Sequence, residues 1–168
     1  ISVTGGEPLK SFRMVEQVLD EVLTHGIDRY TVVVAIGGGS VGDMSGFVAS
    51  ILLRGLRWIY VPTTLLAQVD ASIGGKTALN RPQGKNLVGT FHFPDAVICD
   101  LQFLETLPER EMKSGYAEIY KHALLAGLRS PFLKGLHKHG LDVLKNKKLL
   151  SQVIFESIQV KLRVIGED

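Results

Sequence analysis

The sequence has almost no cysteine. Cys99 is the single one among 168 residues, so no intrachain disulfide can form. It closes the apolar run Ala96-Val97-Ile98-Cys99 and is expected to be an inert buried thiol, in keeping with a reducing, cytoplasmic setting. Charge of one sign is equally scarce. A formal net charge of +2 gives no basis for a nucleic acid as partner, although local groups of Lys and Arg can still serve an anionic metabolite. No run is long and apolar enough to span a bilayer, so no membrane partner is expected. The chain opens on Ile1 rather than Met and shows no signal peptide, and the natural protein is expected to begin upstream. What is present is ordinary for a folded chain: 45% apolar and 21% charged residues, with length for one core, or for one domain and part of a second.

The periodicity predicts an α/β layer followed by helices. Phe12, Val15, Val18, Leu19, Val22 and Leu23 recur at helical spacing between Ser11 and His25, and Gly26 is a stop signal. Thr31–Ile36 is β-branched and apolar on both faces, which suits a strand covered by helices on both sides. A helix is expected from about Val41 to Leu53, a second strand at Trp58–Val61 stopped by Pro62, and a third at Ala96–Cys99. Strand, helix, strand order implies parallel pairing. Between Thr63 and Phe93 glycines and a proline break the pattern, and a loop of that length is expected to be functional. No strand-like run follows Pro108. Helices are expected over Met112–Leu128 and Lys148–Ile165, with a short one over His137–Lys145. Composition changes at Leu107-Pro108, giving an α/β domain over residues 1–107 and a helical domain over 108–168.

Five features could carry chemistry. Gly37-Gly38-Gly39-Ser40-Val41-Gly42-Asp43 joins a buried strand to a helix. Glycines there let backbone approach a phosphate, and the helix N-terminus offers free N–H groups to an anion. The plain alternative is a tight turn with Asp43 as a first-turn dipole partner. The spacing is not the usual dinucleotide fingerprint. Thr63 and Thr64 follow a strand directly, where ligands gather in α/β sheets, and Asp70 lies further along. Gly74-Gly75-Lys76-Thr77 resembles the end of a P-loop but lacks the earlier glycine, so nucleotide hydrolysis is disfavoured. Lys85-Asn86 suits a phosphate or carboxylate, or is a solvated turn. Glu118 and His122 stand at i, i+4 and could share a metal, or form a plain helix pair. Lys161 falls on the apolar stripe of Leu150, Ile154, Ile158 and Ile165, and either snorkels or points into a ligand site.

Taken together, Gly37–Gly46, Arg54-Gly55, Val61–Thr77, Gly84–Gly89 and Gly115–His122 resemble the 3-dehydroquinate synthase family, as does Gly6-Glu7-Pro8-Leu9-Lys10 against its G-E-x-x-K. The resemblance runs in order along almost the whole chain. It implies a Rossmann-like α/β domain that binds NAD, a helical domain that holds zinc (with cobalt as an alternative), and a reaction cleft between them. It implies that Glu7 and Lys10 contact the adenosine half of NAD. Gly38, Gly39, Ser40 and Asp43 would hold the pyrophosphate side, with Thr63, Thr64, Lys85 and Thr106 also toward the cofactor. Asp70, Lys76 and Asn86 would line the nicotinamide and substrate region, and Lys121 and Lys161 would bind substrate. Arg54 resembles an arginine that reaches the substrate phosphate of a neighbouring subunit, which implies a homodimer. Glu118 matches the metal-binding glutamate, whereas His122 matches no ligand position. Ser40 departs from the apolar residue usual there.

The implied activity is a phosphate-eliminating cyclisation of the sugar acid phosphate 3-deoxy-D-arabino-heptulosonate 7-phosphate to 3-dehydroquinate, in the shikimate pathway of aromatic amino acid biosynthesis. The two histidines that complete the family's zinc site are expected beyond Lys161–Asp168, so the isolated chain is expected to be an inactive interior fragment. The rivals are another sugar phosphate cyclase, such as 2-deoxy-scyllo-inosose synthase, and a metal-dependent polyol dehydrogenase.

Overall fold

The computed structural model describes residues Ile1–Glu167. The chain folds into two compact units. Ile1–Pro62 and Gly74–Cys99 make the first; Thr63–Ile73 and the chain from Asp100 make the second. The sequence predicts one break between residues 107 and 108. The two units alternate along the chain at three places, and a short segment after the second strand belongs to the helical unit. Asp168, which ends the predicted helical domain, lies outside the described residues.

In the first unit, helix α1 (Phe12–Thr24) begins where the Ser11 side chain accepts from Met14 N–H, and it stops before Gly26 at φ +66°. Strand β1 (Val32–Gly37) leads through Gly38 into helix α2 (Gly39–Ile51), and β2 (Arg57–Pro62) follows. The strands β1, β2 and β5 (Ala96–Val97) form a parallel sheet in that order, with Val34 opposite Ile59 and Ile59 opposite Ala96. Helix α2 begins two residues earlier than predicted. The strand β5 is only two residues long, and Cys99 lies beyond it, half-buried, with burial raising its thiol pKa. The expectation that β1 is covered on both faces fails. Val33 packs toward α2, whereas Val32, Val34 and Ile36 are exposed. Their apolar character therefore marks an open sheet face among the described residues. The core of the unit joins Leu9, Val15, Met44, Phe47, Val48, Leu52, Leu56 and Leu79, where each buried aliphatic side chain stabilises by roughly 1.5–3 kcal/mol.

The predicted loop over 63–93 is built rather than irregular. Ala67–Ala71 forms a π-helical turn of the second unit, and β3 (Leu79–Arg81) pairs antiparallel with β4 (Gly84–Val88) in the first. The second unit is otherwise helical: α3 (Glu109–Leu125), α4 (Pro131–His139) and α5 (Lys147–Gly166). Helix α4 lies ahead of the predicted short helix. Ser130 caps it and Pro131 starts it, and Gly140 at φ +54° ends it, leaving Gly140–Lys145 as a 3-10 turn. The buried positions Leu150, Val153, Ile154, Ser157 and Val160 of α5 follow helical periodicity. They pack with Leu65, Val69, Ile119, Ala123, Leu133 and Leu136.

Candidate functional site

Two clusters of polar side chains form, one in each unit. In the first unit the glycine turn is built from below. Tyr60, 1% exposed, lies under α2 and donates its hydroxyl to Gly38 O at 2.9 Å. A Cβ at position 42 would sit 2.4 Å from Tyr60 Cζ, so a glycine is required there for close approach. Burial, and then the charge of Asp43, push the Tyr60 pKa well above its ordinary value, so the phenol remains a donor. Gly38 is the N-cap of α2 and has no side chain to cap it. The helix N-terminus therefore offers backbone N–H to an external anion.

Around that turn the sequence motifs converge. Ser40 Oγ accepts from Gly6 N–H at 3.0 Å. Lys10 Nζ donates to Asp43 Oδ2 at 2.6 Å and to Asn86 Oδ1. Glu7 accepts from Asn80 Nδ2 at 2.7 Å and pairs loosely with Lys85 at 3.8 Å. Asp43, Asn86 and Lys76 line one pocket of about 320 Å³ with Thr77 and Thr90. Arg54 is not part of this group. It stands at the other end of α2, about 20 Å along a 13-residue helix, exposed and at φ +70°.

In the second unit, Thr64 Oγ1 accepts from Ala67 N–H at 3.2 Å and so opens the π-helical turn that carries Asp70. Such turns are uncommon and recur at functional sites. Lys161 Nζ lies 2.5 Å from Asp70 Oδ1. On α3, Glu118 is paired with Lys121, and His122 Nε2 lies 3.2 Å from Glu118 Oε1. One ligand atom each of Asp70, Glu118 and His122 falls within 4.8 Å of the others. The other ring nitrogen, Nδ1, is 2.7 Å from Ser157 Oγ, with His122 1% and Ser157 0% exposed. Burial lowers the His122 pKa, against the opposing pull of Glu118, and so favours the neutral ring. Burial raises the Asp70 carboxyl, but the Lys161 hydrogen bond and charge outweigh it and hold it below its ordinary value.

The structure thus brings Glu7, Lys10, Ser40, Asp43, Lys76, Lys85 and Asn86 together in one unit, and Asp70, Glu118, Lys121 and Lys161 in the other. Thr63 is half-buried beside Thr64, and Thr106 is exposed in the turn before α3. Sequence reasoning missed Tyr60, Asn80 and Ser157. The strand periodicity signalled only that Tyr60 is part of a strand, and nothing in the sequence singles out Ser157 from the other small residues of α5.

A family model described as 3-dehydroquinate synthase N-terminal matches residues 1–114. A 3-dehydroquinate synthase of Dictyoglomus thermophilum is 48% identical, across 100% of this chain and 47% of that protein. The chain spans about half the length of the curated relatives it matches. Among solved structures, a 2-epi-5-epi-valiolone synthase of Streptomyces hygroscopicus with NAD+ and Zn2+ bound superposes with TM-score 0.88 at 30% identity, over 98% of this chain and 46% of that one. A 2-deoxy-scyllo-inosose synthase complexed with carbaglucose-6-phosphate, NAD+ and Co2+ gives TM-score 0.88 at 32% identity, over 99% of this chain and 46% of that one.

Proposed function

This chain belongs to the 3-dehydroquinate synthase family, and on that premise we propose that it supplies the NAD-facing and part of the metal-facing residues of a cytoplasmic 3-dehydroquinate synthase. The substrate is 3-deoxy-D-arabino-heptulosonate 7-phosphate, and the products are 3-dehydroquinate and phosphate. The observation that carries the reading is Glu118. Its mostly buried carboxylate stands on the Gly115–His122 motif beside Lys121, with Asp70 and His122 close by.

The residues present fit both groups that this chemistry needs. The uncapped N-terminus of α2 at Gly38 and Gly39 suits the pyrophosphate of NAD, and Glu118 offers an anionic oxygen to a divalent metal. Bound there, NAD would supply a reversible hydride acceptor and a divalent metal would supply polarisation of a substrate oxygen. The chain's own residues bind and orient. Gly38, Gly39, Ser40 and Asp43 hold the pyrophosphate side, with Glu7 and Lys85 of the same unit, and Thr63, Thr64 and Thr106 are the second unit's residues assigned to the cofactor. In the first unit Lys76 and Asn86, and in the second Lys121 and Lys161, supply groups that bind and orient anionic groups of the substrate. Asp70, kept anionic by Lys161, accepts a hydrogen bond from a substrate hydroxyl. Arg54, exposed at the end of α2, reaches a second copy in a homodimer.

The test is Glu118→Ala in the whole enzyme. Metal retention is expected to be lost, and a normal zinc content by elemental analysis rejects the assignment. A second reading, another sugar phosphate cyclase, is favoured by the fold match to the 2-deoxy-scyllo-inosose synthase. Lys161 favours a carboxylate-bearing substrate, and turnover of a neutral sugar phosphate in preference to the acid would select the second reading.

A further inference from the structure

Lys76 lines the pocket of about 320 Å³ from a short antiparallel ladder. It stands opposite Phe91 between two backbone bonds: His92 N–H donates to Gly75 O at 2.7 Å, and Thr77 N–H donates to Thr90 O at 2.9 Å. Exposure alternates along the segment, with Gly75 and Thr77 buried and Lys76 exposed between them. Holding Thr77 inward therefore aims Lys76 outward. The methyl of Thr77 lies against α2, since a Cβ added at Gly46 would fall 2.7 Å from Thr77 Cγ2. Its hydroxyl accepts from Thr90 N–H at 3.1 Å, the place a carbonyl holds in a regular antiparallel pair. From there a run of three hydroxyls leads into α2. Ser50 Oγ donates to Phe47 O at 2.7 Å, and Thr90 Oγ1 donates to Ser50 Oγ at 3.0 Å. Each hydroxyl has a single proton, so Thr77 is left as the donor to Thr90, 2.8 Å from its Oγ1 and 2.9 Å from its carbonyl oxygen. All of these residues belong to the first unit.

We propose that Thr90 is a positioning residue for Lys76: its hydroxyl, between Thr77 and Ser50, ties the segment that carries the lysine to α2. The inference rests on the reading of Lys76 as a group that binds an anionic part of the substrate. A lysine ends in a compact charge on a flexible stem, so its aim depends on where its backbone is held. The hydroxyl chain holds that backbone against the helix that also carries Asp43, a residue of the same pocket wall. Thr90 suits the middle place because a hydroxyl donates and accepts at once. Thr90→Val keeps the shape of the side chain and removes both of its hydroxyl bonds. Ser50 is not among the residues lining the pocket, so Ser50→Ala loosens the same anchor from outside the wall.

The test compares wild-type, Thr90→Val, Thr90→Ser, Ser50→Ala and Lys76→Met forms of the whole enzyme, supplied with NAD, zinc and 3-deoxy-D-arabino-heptulosonate 7-phosphate. The readouts are kcat/KM for the substrate, Kd for NAD and the melting temperature. Because a displacement of about 1 Å weakens a positioned group heavily, Thr90→Val is expected to lower kcat/KM by roughly 10-fold and Ser50→Ala by about threefold. Thr90→Ser restores the hydroxyl and is expected to stay within about twofold of wild type. The Kd for NAD is expected to stay within about twofold in these three variants, because the glycine turn lies at the other end of α2. A Thr90→Val enzyme with a lowered melting temperature and wild-type kcat/KM would show a threonine that serves stability alone, and overturns the proposal. An equal loss in Thr90→Ser overturns it too, since the hydroxyl would not be the cause. Where the valine form does not fold, Ser50→Ala decides, and wild-type kcat/KM there overturns the proposal. Lys76→Met is expected to lose more than Thr90→Val. A wild-type value for Lys76→Met, or no turnover by the wild-type enzyme, would instead reject the reading of Lys76, and the proposal with it.

Discussion

Lys161 and Asp70, 91 positions apart in the chain, meet through one hydrogen-bonded ion pair. The apolar stripe on α5 leaves a lysine at that position two fates, solvent or a buried partner. The structure selects the partner, with Lys161 24% and Asp70 32% exposed. Partial exposure screens the pair, so its worth to stability is about 1 kcal/mol. Asp70 is held below its ordinary carboxyl value by Lys161, against burial. The folded carboxyl therefore binds fewer protons than the unfolded one. Its contribution is complete above the unfolded value of about 4 and fades as the pH falls through the lower, folded value. Urea unfolding of wild type and Lys161→Met is expected to show a stability gap at pH 7 that narrows toward pH 3. A gap that widens on acidification contradicts the pairing.

Two glycines should respond to alanine with opposite sign. A Cβ at Gly89 would lie 1.9 Å from the backbone oxygen of Thr77, and neither side can move without shifting the hairpin. Gly89→Ala is expected to destabilise by about 3 kcal/mol or more. Gly135 lies inside α4 with nothing within 4 Å of its added Cβ. Gly135→Ala is expected to stabilise by roughly 0.5–1 kcal/mol through helix propensity. Thermal melts of the two variants check both signs, and a destabilising Gly135→Ala would show that α4 needs its glycine for packing.

The parts of the fold legible in the sequence were those with local causes. Helix α1 has a capping serine, an apolar stripe and a terminating glycine between Ser11 and Gly26, and β1 and β2 are apolar runs ended by glycine and proline. The rest depends on distant partners. The hairpin β3–β4 and the π-helical turn at Asp70 occupy a stretch whose glycines read as a loop, because the bonds that order it come from elsewhere, such as Gln68 Nε2 to Asp100 O at 2.9 Å. Helix α4 was readable from Ser130-Pro131, but Gly135 weakens its pattern. The motif residues were legible individually; their grouping was not. Lys10 is legible as part of the Gly6–Lys10 motif, but its partners stand 33 and 76 positions away. His122 was set aside as a ligand by resemblance, and its place between Ser157 and Glu118 needs the packing of α3 on α5.

The central claim is that this chain works in a 3-dehydroquinate synthase. It is tested most directly by supplying the whole enzyme with NAD, zinc or cobalt, and 3-deoxy-D-arabino-heptulosonate 7-phosphate, and measuring both phosphate and 3-dehydroquinate. The account predicts equimolar formation of the two, with NAD unchanged in amount at the end and turnover lost on chelation. Net accumulation of NADH without phosphate release would contradict it, and would place the chain's chemistry with a dehydrogenase instead.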